Sequence, residues 1–433
     1  MAVNLGSIYA ELRLRLDRLQ SDIREAEAKL LEVSQVGGSL DDQMVAVGKS
    51  MQKAGKTMTK YVTAPLVGVA TAAVYTGKSF DDSMAKVAAV SGAVGEEFEA
   101  LRAKARELGA TTRFTASDAA SGMEMLARAG FDANEILAAI PGMLDLASAG
   151  AIGMAEASTF VADTLKAFGE EADQATRFAD IFALSAARAN TDVTGLGEAM
   201  SYGASSAAAA GMNFEQTAAI MAAFADAGVK SSRAGTTFEA MLRDIKKTAA
   251  DTGGALILDL VPGMEQTEIA VYDADGNMRD MLSIMADLET ATADLTTEQR
   301  DLALGSIFTV QALRGVNILL QRGTEDVRAF EEMLYGASGA AKDMSGVMED
   351  TLGGALREMK SAFEEVLIGL SDILLPVMRE IIENLTAFAR WFGELPEPVR
   401  KFMVVLGALL TIVGPLLVFF GGLLAMLPAM KAG

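Results

Sequence analysis

An acidic turn, DADGN at residues 273–277, is the stretch of this sequence whose residue types could bind a calcium ion. A calcium-binding EF-hand loop requires Gly at its sixth position and Glu at its twelfth. Counted from Asp273, those positions hold Met278 and Ile284, so the spacing does not fit. The runs around this turn are short and apolar or β-branched, and a D-G turn in such a setting predicts a small β-hairpin instead.

Acid–base and nucleophilic chemistry is restricted by the absence of both cysteine and histidine from the sequence. Disulfides, thiolate or imidazole metal sites, Cys nucleophiles and Ser-His-Asp triads are therefore excluded. Paired carboxylates such as Glu364 and Glu365 are more simply explained as solvated helix faces. Gly195 and Gly197 lack the third glycine of a dinucleotide-binding loop, and the sequence has no GxxxxGK[ST] phosphate-binding motif. We expect no enzyme, no cofactor and no metal; a carboxylate-based enzyme is an alternative that requires an acidic pair converging in a pocket.

Composition indicates a mainly α protein. Hydrophobic residues make up 51% of the 433 residues and aromatic residues only 6%, with 41 glycines and 25 methionines, which favours close-packed helices of small side chains. The formal net charge of -21 makes the chain repel nucleic acid as a whole, so we expect no specific nucleic-acid binding. The N-terminus lacks the apolar stretch of a signal peptide, and we expect synthesis in the cytoplasm.

The first 37 residues carry an apolar stripe with alternating steps of four and three, which is typical of a coiled coil. An amphipathic helix packed on its own domain is the alternative, but a 3.5-residue period over about four heptads favours self-association. The predicted oligomerisation seam consists of Leu5, Tyr9, Leu12, Leu16, Leu19, Ile23, Ala26, Leu30 and Val33.

A second apolar segment lies between Lys401 and Lys431, where 29 residues carry no charge. At about 1.5 Å per residue, a helix of this length exceeds the roughly 30 Å of bilayer hydrocarbon, so the segment predicts a transmembrane-type helix. Gly414-Pro415 could instead divide it into two half-helices that dip in and return, and burial in a soluble bundle is a further alternative. The residues predicted to insert into a membrane are Phe402, Val404, Leu406, Leu409, Ile412, Pro415, Leu417, Phe420 and Leu424.

Composition and helix signals divide the chain into six parts. Thr115, three residues before Asp118, predicts a helix start, and Gly130, Gly169, Gly211 and Gly228 predict helix ends. The stretches AGFDANEILAAIPGMLDLA and AGMNFEQTAAIMAAFADAG share a turn, an acidic helix start and an apolar face, which suggests a duplicated helical hairpin or convergence of alanine-rich helices. The predicted parts are a coiled-coil helix (1–37), a linker with a short apolar segment (38–79), an all-helical core (80–250), a helical region with the β-hairpin (251–340), amphipathic helices with a hinge at the prolines of 394–400 (341–400) and the membrane-inserting segment (401–433).

Several dissimilar blocks occur in an order that resembles the core of phage tail tape measure proteins, the phage minor tail protein family. They are AGKTMTKYVTAPLVGVATAAVYTGKSFDDSMAKVAAVSGA, ELGATTRFTASDAASGMEMLARAGFDANEILAAIPGMLDLA, VYDADGNMRDM, LGSIFTVQALRGVNILL and LPEPVRKFMVVLGALL. The resemblance covers about residues 50–425.

The resemblance implies a virion component that lies in the lumen of the phage tail tube, sets tail length during assembly and is ejected to help the genome cross the host inner membrane. The partners implied are the tail tube protein, tail assembly chaperones and distal tail or baseplate proteins. A membrane-active, pore-forming protein whose helical body shields a C-terminal insertion helix is the alternative.

Overall fold

The computed structural model describes residues 59–258, 267–401 and 403. These residues are mainly helical, which confirms the predicted fold class at that level. The chain divides into two compact units: Ser79–Val366 forms one, and the described part of the other comprises residues 59–78, 367–401 and 403. The predicted coiled coil of residues 1–37 lies outside the described residues.

Fifteen α-helices and two β-strands account for most of the described residues. A short π-helix, Thr59–Thr63, precedes the first helix, and a 3-10 turn, Ala172–Gln174, precedes the sixth. In chain order the α-helices are α1 Ala64–Ser91, α2 Glu96–Thr111, α3 Ala116–Arg128, α4 Ala133–Ala149, α5 Met154–Phe168, α6 Ala175–Arg188, α7 Val193–Ala208, α8 Phe214–Asp226, α9 Ser232–Thr252, α10 Met281–Thr292, α11 Thr297–Gly305, α12 Val310–Arg322, α13 Thr324–Tyr335, α14 Ala340–Glu349 and α15 Leu352–Glu394. The strands are β1 Ala255–Leu258 and β2 Thr267–Ala270.

The domain boundaries predicted from sequence remain predictions. Three of the predicted positions can be compared with the described elements. The positions 250 and 340 both lie inside the compact unit Ser79–Val366. Residues 64–79, in the predicted linker, are helical and belong to α1.

Small residues hold the helices of the unit Ser79–Val366 close together. The most extensive helix contacts join α7 to α9 and α3 to α5. A side chain added at Gly235 on α9 would overlap the carbonyl oxygen of Ala199 on α7, and one at Gly122 on α3 would lie 3.0 Å from Oγ of Ser158 on α5. Backbones that approach this closely gain dispersion contacts, but they leave no space for an added methyl group.

An aromatic cluster lies in the buried core of this unit. The ring of Phe214, at the start of α8, stacks on Phe178 with centroids 4.4 Å apart and contacts Phe182 at 5.1 Å. All three side chains are fully or almost fully buried. Burial of each such ring stabilises the fold by about 1.5–3 kcal/mol.

The helix boundaries predicted from local signals are confirmed. Thr115 accepts a hydrogen bond from the Asp118 amide while the Asp118 carboxylate accepts one from the Thr115 amide, which forms a capping box at the start of α3. The four predicted terminating glycines, Gly130, Gly169, Gly211 and Gly228, all have positive φ, between 71° and 88°.

The two similar stretches of sequence adopt the same local structure. Gly130 and Gly211 each end a helix, and two residues later Asp132 and Asn213 cap α4 and α8 by accepting from the backbone amide three residues on. The recurring turn therefore has a physical basis in glycine and Asx chemistry.

The β-hairpin forms, but the D-G turn does not join its strands. β1 pairs antiparallel with β2, with Ala255 opposite Ala270, and the turn follows β2 in the chain. There Gly276, at φ 84°, closes a tight loop that brings Tyr272 opposite Met278. The Asp273 carboxylate accepts from the backbone amides of Asp275 and Asn277, so it stabilises the turn itself.

Three carboxylates connect helices that are distant in sequence. Asp180 on α6 accepts from the amides of Gly339 and Ala341 at the start of α14. Asp244 on α9 accepts from the amide and hydroxyl of Thr309 before α12, and Glu289 on α10 does the same for Thr324 at the start of α13. A helix start has unpaired amides and a positive dipole end, so each carboxylate satisfies donors and favours one placement of the incoming helix.

The charge of Asp244 depends on this arrangement. Burial raises its pKa, but the hydrogen bonds from Thr309 and Arg243 outweigh that effect and hold the pKa below its usual value. A carboxyl whose pKa is lower in the folded than in the unfolded state stabilises the fold above the unfolded pKa, and this contribution is lost as the pH falls through the folded pKa.

Gly235→Ala is expected to destabilise the helical unit by about 1–3 kcal/mol, because the new methyl group meets the α7 backbone. The check is the free energy of unfolding from urea titration followed by circular dichroism. Gly346→Ala on α14 is the matched control: its Cβ would meet nothing within 4 Å, and it is expected to stabilise by up to about 1 kcal/mol. Equal effects of the two substitutions would contradict the packing described for α7 and α9.

Asp244→Asn is expected to lower the free energy of unfolding by about 1–3 kcal/mol at pH 7, because an amide cannot replace the two charge-assisted hydrogen bonds to Thr309. The difference from the natural sequence should shrink as the pH falls below about 4, where the unfolded carboxyl protonates. Urea titrations at pH 7 and pH 3.5 measure it. Asp251→Asn, a substitution at an exposed position on the same helix, should change the free energy of unfolding little at either pH. If Asp244→Asn lowers the free energy of unfolding equally at both pH values, the ionic cap is contradicted.

Candidate functional site

The site residues predicted from sequence lie outside the described residues. This applies to all nine seam positions of residues 5–33 and to all nine membrane-insertion positions of residues 402–424. Within residues 59–258 and 267–401, no single helix has the length and apolar content needed to cross a bilayer. Helices α4 and α5 have that length and apolar content only when taken together, and the angle between them is 118°. Both helices of that pair are largely buried in the core.

A polar cluster joins α8, α10 and α13, in which Gln216 and Glu331 are buried but Asp280 and Tyr335 are exposed. The Gln216 amide donates to Asp280 and, at 3.4 Å, to Glu331. Arg328 donates to Asp280 at 3.0 Å, and the hydroxyl of Tyr335 donates to Glu331 at 3.2 Å. Asp280 and Glu331 are thus an acidic pair brought together from different helices, as a carboxylate-based enzyme would need.

The pKa values of the two carboxyls in this cluster, Asp280 and Glu331, are shifted in opposite directions. Burial raises the pKa of Asp280, but hydrogen bonds from Ser283, Gln216 and Arg328 outweigh it and hold the pKa below its usual value. Burial raises the pKa of Glu331, and its hydrogen bonds do not offset that. Asp280 also caps α10 by accepting from the Ser283 amide. Both carboxyls are engaged by neighbouring helices, so the arrangement serves to join α8, α10 and α13.

A cleft of about 380 Å³ lies between α5 and α7. Its lining contains one acidic side chain, Asp163, whose pKa is raised by burial, together with Lys166. The cleft therefore lacks a second carboxylate for acid–base chemistry. In the described part of the chain, no group of three or more acidic side chains could hold a metal ion.

The most unusual surface is on α15. Every residue from 376 to 391 is exposed, although the helix is amphipathic. At 100° per residue, polar side chains such as Arg379, Glu383 and Arg390 lie on one side, and a row of apolar side chains lies on the other. We call this row the apolar face of α15: Val377, Ile381, Leu385, Phe388 and Phe392. The first four are between 44% and 60% exposed.

The part of α15 that precedes the apolar face packs against α1. A side chain at Gly77 on α1 would overlap Ser371 on α15, so the two helices are in close contact there. An open groove of about 440 Å³ continues from this contact and is lined mainly by Val67, Val74, Leu374 and Met378. Tyr75 and Leu66 on α1 are 76% and 63% exposed, which extends the apolar surface.

The helix ends where the sequence predicted a hinge. α15 stops at Glu394, Leu395 and Pro396 are not helical, and helix resumes at residue 397 with the amide of Arg400 bonded to the carbonyl of Pro396 at 3.0 Å. Pro396 cannot donate an amide hydrogen bond to the preceding turn, which explains the interruption. The prediction of amphipathic helices in residues 341–400 did not identify the apolar face as a site, because periodicity does not reveal which stripes lack a partner.

Comparison with known proteins gives a consistent picture. Residues 102–309 match the family of phage-related minor tail proteins. The chain is 36% identical over 419 residues to the tape measure protein of Pneumococcus phage Dp-1, which covers 97% of the chain and 35% of that protein. It is 26% identical over 429 residues to the probable tape measure protein of Escherichia phage P2, with 95% of the chain and 51% of that protein covered.

No solved structure matches the chain. The chain spans about a third of the first of these relatives and about half of the second. Of the blocks that suggested the resemblance, those at residues 107–147 and 271–281 lie inside the matched residues, the one at 304–320 overlaps their end, and those at 54–93 and 395–410 lie outside them. Residues 102–309 are thus similar to phage-related minor tail proteins, and the resemblance of the chain to phage tail tape measure proteins is confirmed.

Proposed function

We propose that this chain works as a tape measure in a phage tail: it lies in the lumen of the tail tube and sets tail length during assembly. The observation that carries the proposal is the 36% identity, over 97% of the chain, to a protein named tape measure protein. The proposed role needs no catalytic group or cofactor.

A ruler needs segments whose length is fixed by their sequence. An α-helix supplies this at about 1.5 Å per residue, so the 43 residues of α15 span about 65 Å. The compact unit Ser79–Val366 contributes far less length per residue, because its helices fold back on one another. We infer that the measuring length resides in extended helical segments, including the predicted seam of residues 5–33.

The proposed partners follow from the same role. The tail tube protein would surround the chain, tail assembly chaperones would hold it before assembly, and distal tail or baseplate proteins would anchor it. The apolar seam favours self-association of copies side by side. The net charge of -21 disfavours direct nucleic-acid binding, so the chain would lie in the tube without binding DNA specifically.

Insertion of four additional heptads (28 residues) into the seam, in the phage's complete protein, is expected to lengthen every tail by about 42 Å. Tail lengths measured by negative-stain electron microscopy of purified particles test this. The matched control inserts 28 Gly/Ser residues at the same position, which form a flexible coil of no fixed length and should broaden the distribution instead. Tails of unchanged length in both variants would refute the ruler role of this segment.

We further propose that residues 402–424 enter the host inner membrane after ejection and help the genome across. The support is the uncharged run of 29 residues, which is long enough to span a bilayer. A pore-forming protein would use the same segment, and the two functions differ in whether the free chain permeabilises a membrane without a phage particle.

The purified chain is expected to float with neutral phosphatidylcholine liposomes in a density gradient, because the segment partitions into hydrocarbon. Leu406→Arg with Leu417→Arg should abolish flotation, since a charge close to the centre of the span, where Leu417 lies, costs about 2.5–3.5 kcal/mol, and Leu406→Arg adds a second charge to the uncharged run. Leu406→Ile with Leu417→Ile is the matched control and should float. Equal flotation of the charged and apolar variants would contradict insertion, and rapid release of a trapped dye by the unmodified chain would favour the pore-forming alternative.

A further inference from the structure

The apolar face of α15 is exposed from Val377 to Phe388, and Phe392 at its end is half-buried. Val377, Ile381, Leu385 and Phe388 share one side of the helix and are each at least 44% exposed. A single helix with an apolar stripe of this kind is normally covered, because hydrophobic contacts rather than propensity stabilise most protein helices. Because every residue from 376 to 391 is exposed, the face lacks a cover among the described residues.

The chain itself presents a suitable cover immediately after this face. Following the interruption at Leu395 and Pro396, a new helix begins at residue 397, and the sequence then runs from Phe402 to Gly414 without a charge. A two-residue connection between helices favours an antiparallel neighbour. Residues 377–392 span about 24 Å and residues 402–414 about 20 Å as helix, so the two lengths agree.

Charge and tethering favour this cover over a second copy of α15. Residues 372–394 contain four acidic and two basic side chains, so two copies would bring like net charges together. An uncharged segment brings none. The short connection also gives the segment an effective concentration in the millimolar range, well above the concentration of a second molecule in solution.

We propose that the apolar face of α15 is the docking surface for this chain's own residues 402–414, which fold back as the second arm of an antiparallel helical hairpin. Docking removes both apolar surfaces from water, and lipid or an apolar partner then competes with α15 for the segment. The inference concerns the free chain and does not depend on the proposed tail-length role.

The absence of cysteine from the sequence allows a direct test by disulfide trapping. Leu385 lies ten residues before Leu395 and Leu406 lies ten residues after Pro396, so a hairpin centred on the interruption places them opposite each other. The double variant Leu385→Cys with Leu406→Cys is oxidised with copper phenanthroline at micromolar protein concentration. An intramolecular disulfide is expected, identified by mobility on a non-reducing gel and by mass spectrometry of the linked peptides.

The matched control is Glu383→Cys with Leu406→Cys, which places the first thiol on the polar side of the same helix. Its intramolecular disulfide should form at least about tenfold more slowly. Circular dichroism establishes that both variants keep their helix content, and a second face pair, Ile381→Cys with Leu410→Cys, repeats the test at another level of the hairpin.

Each result decides the proposal. Faster intramolecular linkage of both face pairs than of the control supports the hairpin. Linkage between molecules identifies a second copy as the cover and overturns it, as do equal rates for face and control pairs. If the disulfide test refutes the hairpin, the tail-length measurements are unaffected. The two proposals are therefore tested independently.

Discussion

The helical body of this protein depends on carboxylates that reach from one helix to the first turn of another. Asp180, Asp244 and Glu289 hold the starts of α14, α12 and α13 across separations of 159, 65 and 35 residues. Helices rich in Ala and Gly have smooth surfaces, which allow close approach but specify sliding and rotation weakly. A cap of this kind supplies a fixed point, because hydrogen bonds to helix-start amides tolerate little displacement.

The two compact units use apolar surface in different ways. In Ser79–Val366 most large side chains are internal, and Phe178, Phe182 and Phe214 form a cluster that joins α6 to α8. In the unit that contains residues 367–401, most apolar side chains of α15 are external. The first arrangement stabilises a domain, whereas the second leaves apolar surface in contact with water.

Sequence predicted those features whose cause is local. The capping box at Thr115, the glycine ends at Gly130 and Gly211 and the mainly helical fold all depend on residues within a few positions of one another. The hairpin was predicted in the correct region, but the D-G dipeptide indicated only where the chain turns and could not identify which strands pair. The cap from Asp244 to Thr309 was not predictable, since a buried carboxylate on a helix gives no sign of its partner 65 residues away. The sequence predicted that α15 is amphipathic. It could not predict that the apolar stripe is exposed, because exposure depends on which other elements pack against the helix.

The contrast between α15 and the domain it leaves has a mechanical consequence. If the chain is drawn lengthwise, residues 376–391 have little side-chain burial to resist extension, whereas Ser79–Val366 is held by its caps and aromatic cluster. Converting those sixteen residues from helix at about 1.5 Å to extended chain at about 3.4 Å per residue releases about 30 Å of slack at low force. Under tension, residues 376–391 would therefore extend first. The unit Ser79–Val366 would carry the force only after those residues are fully extended.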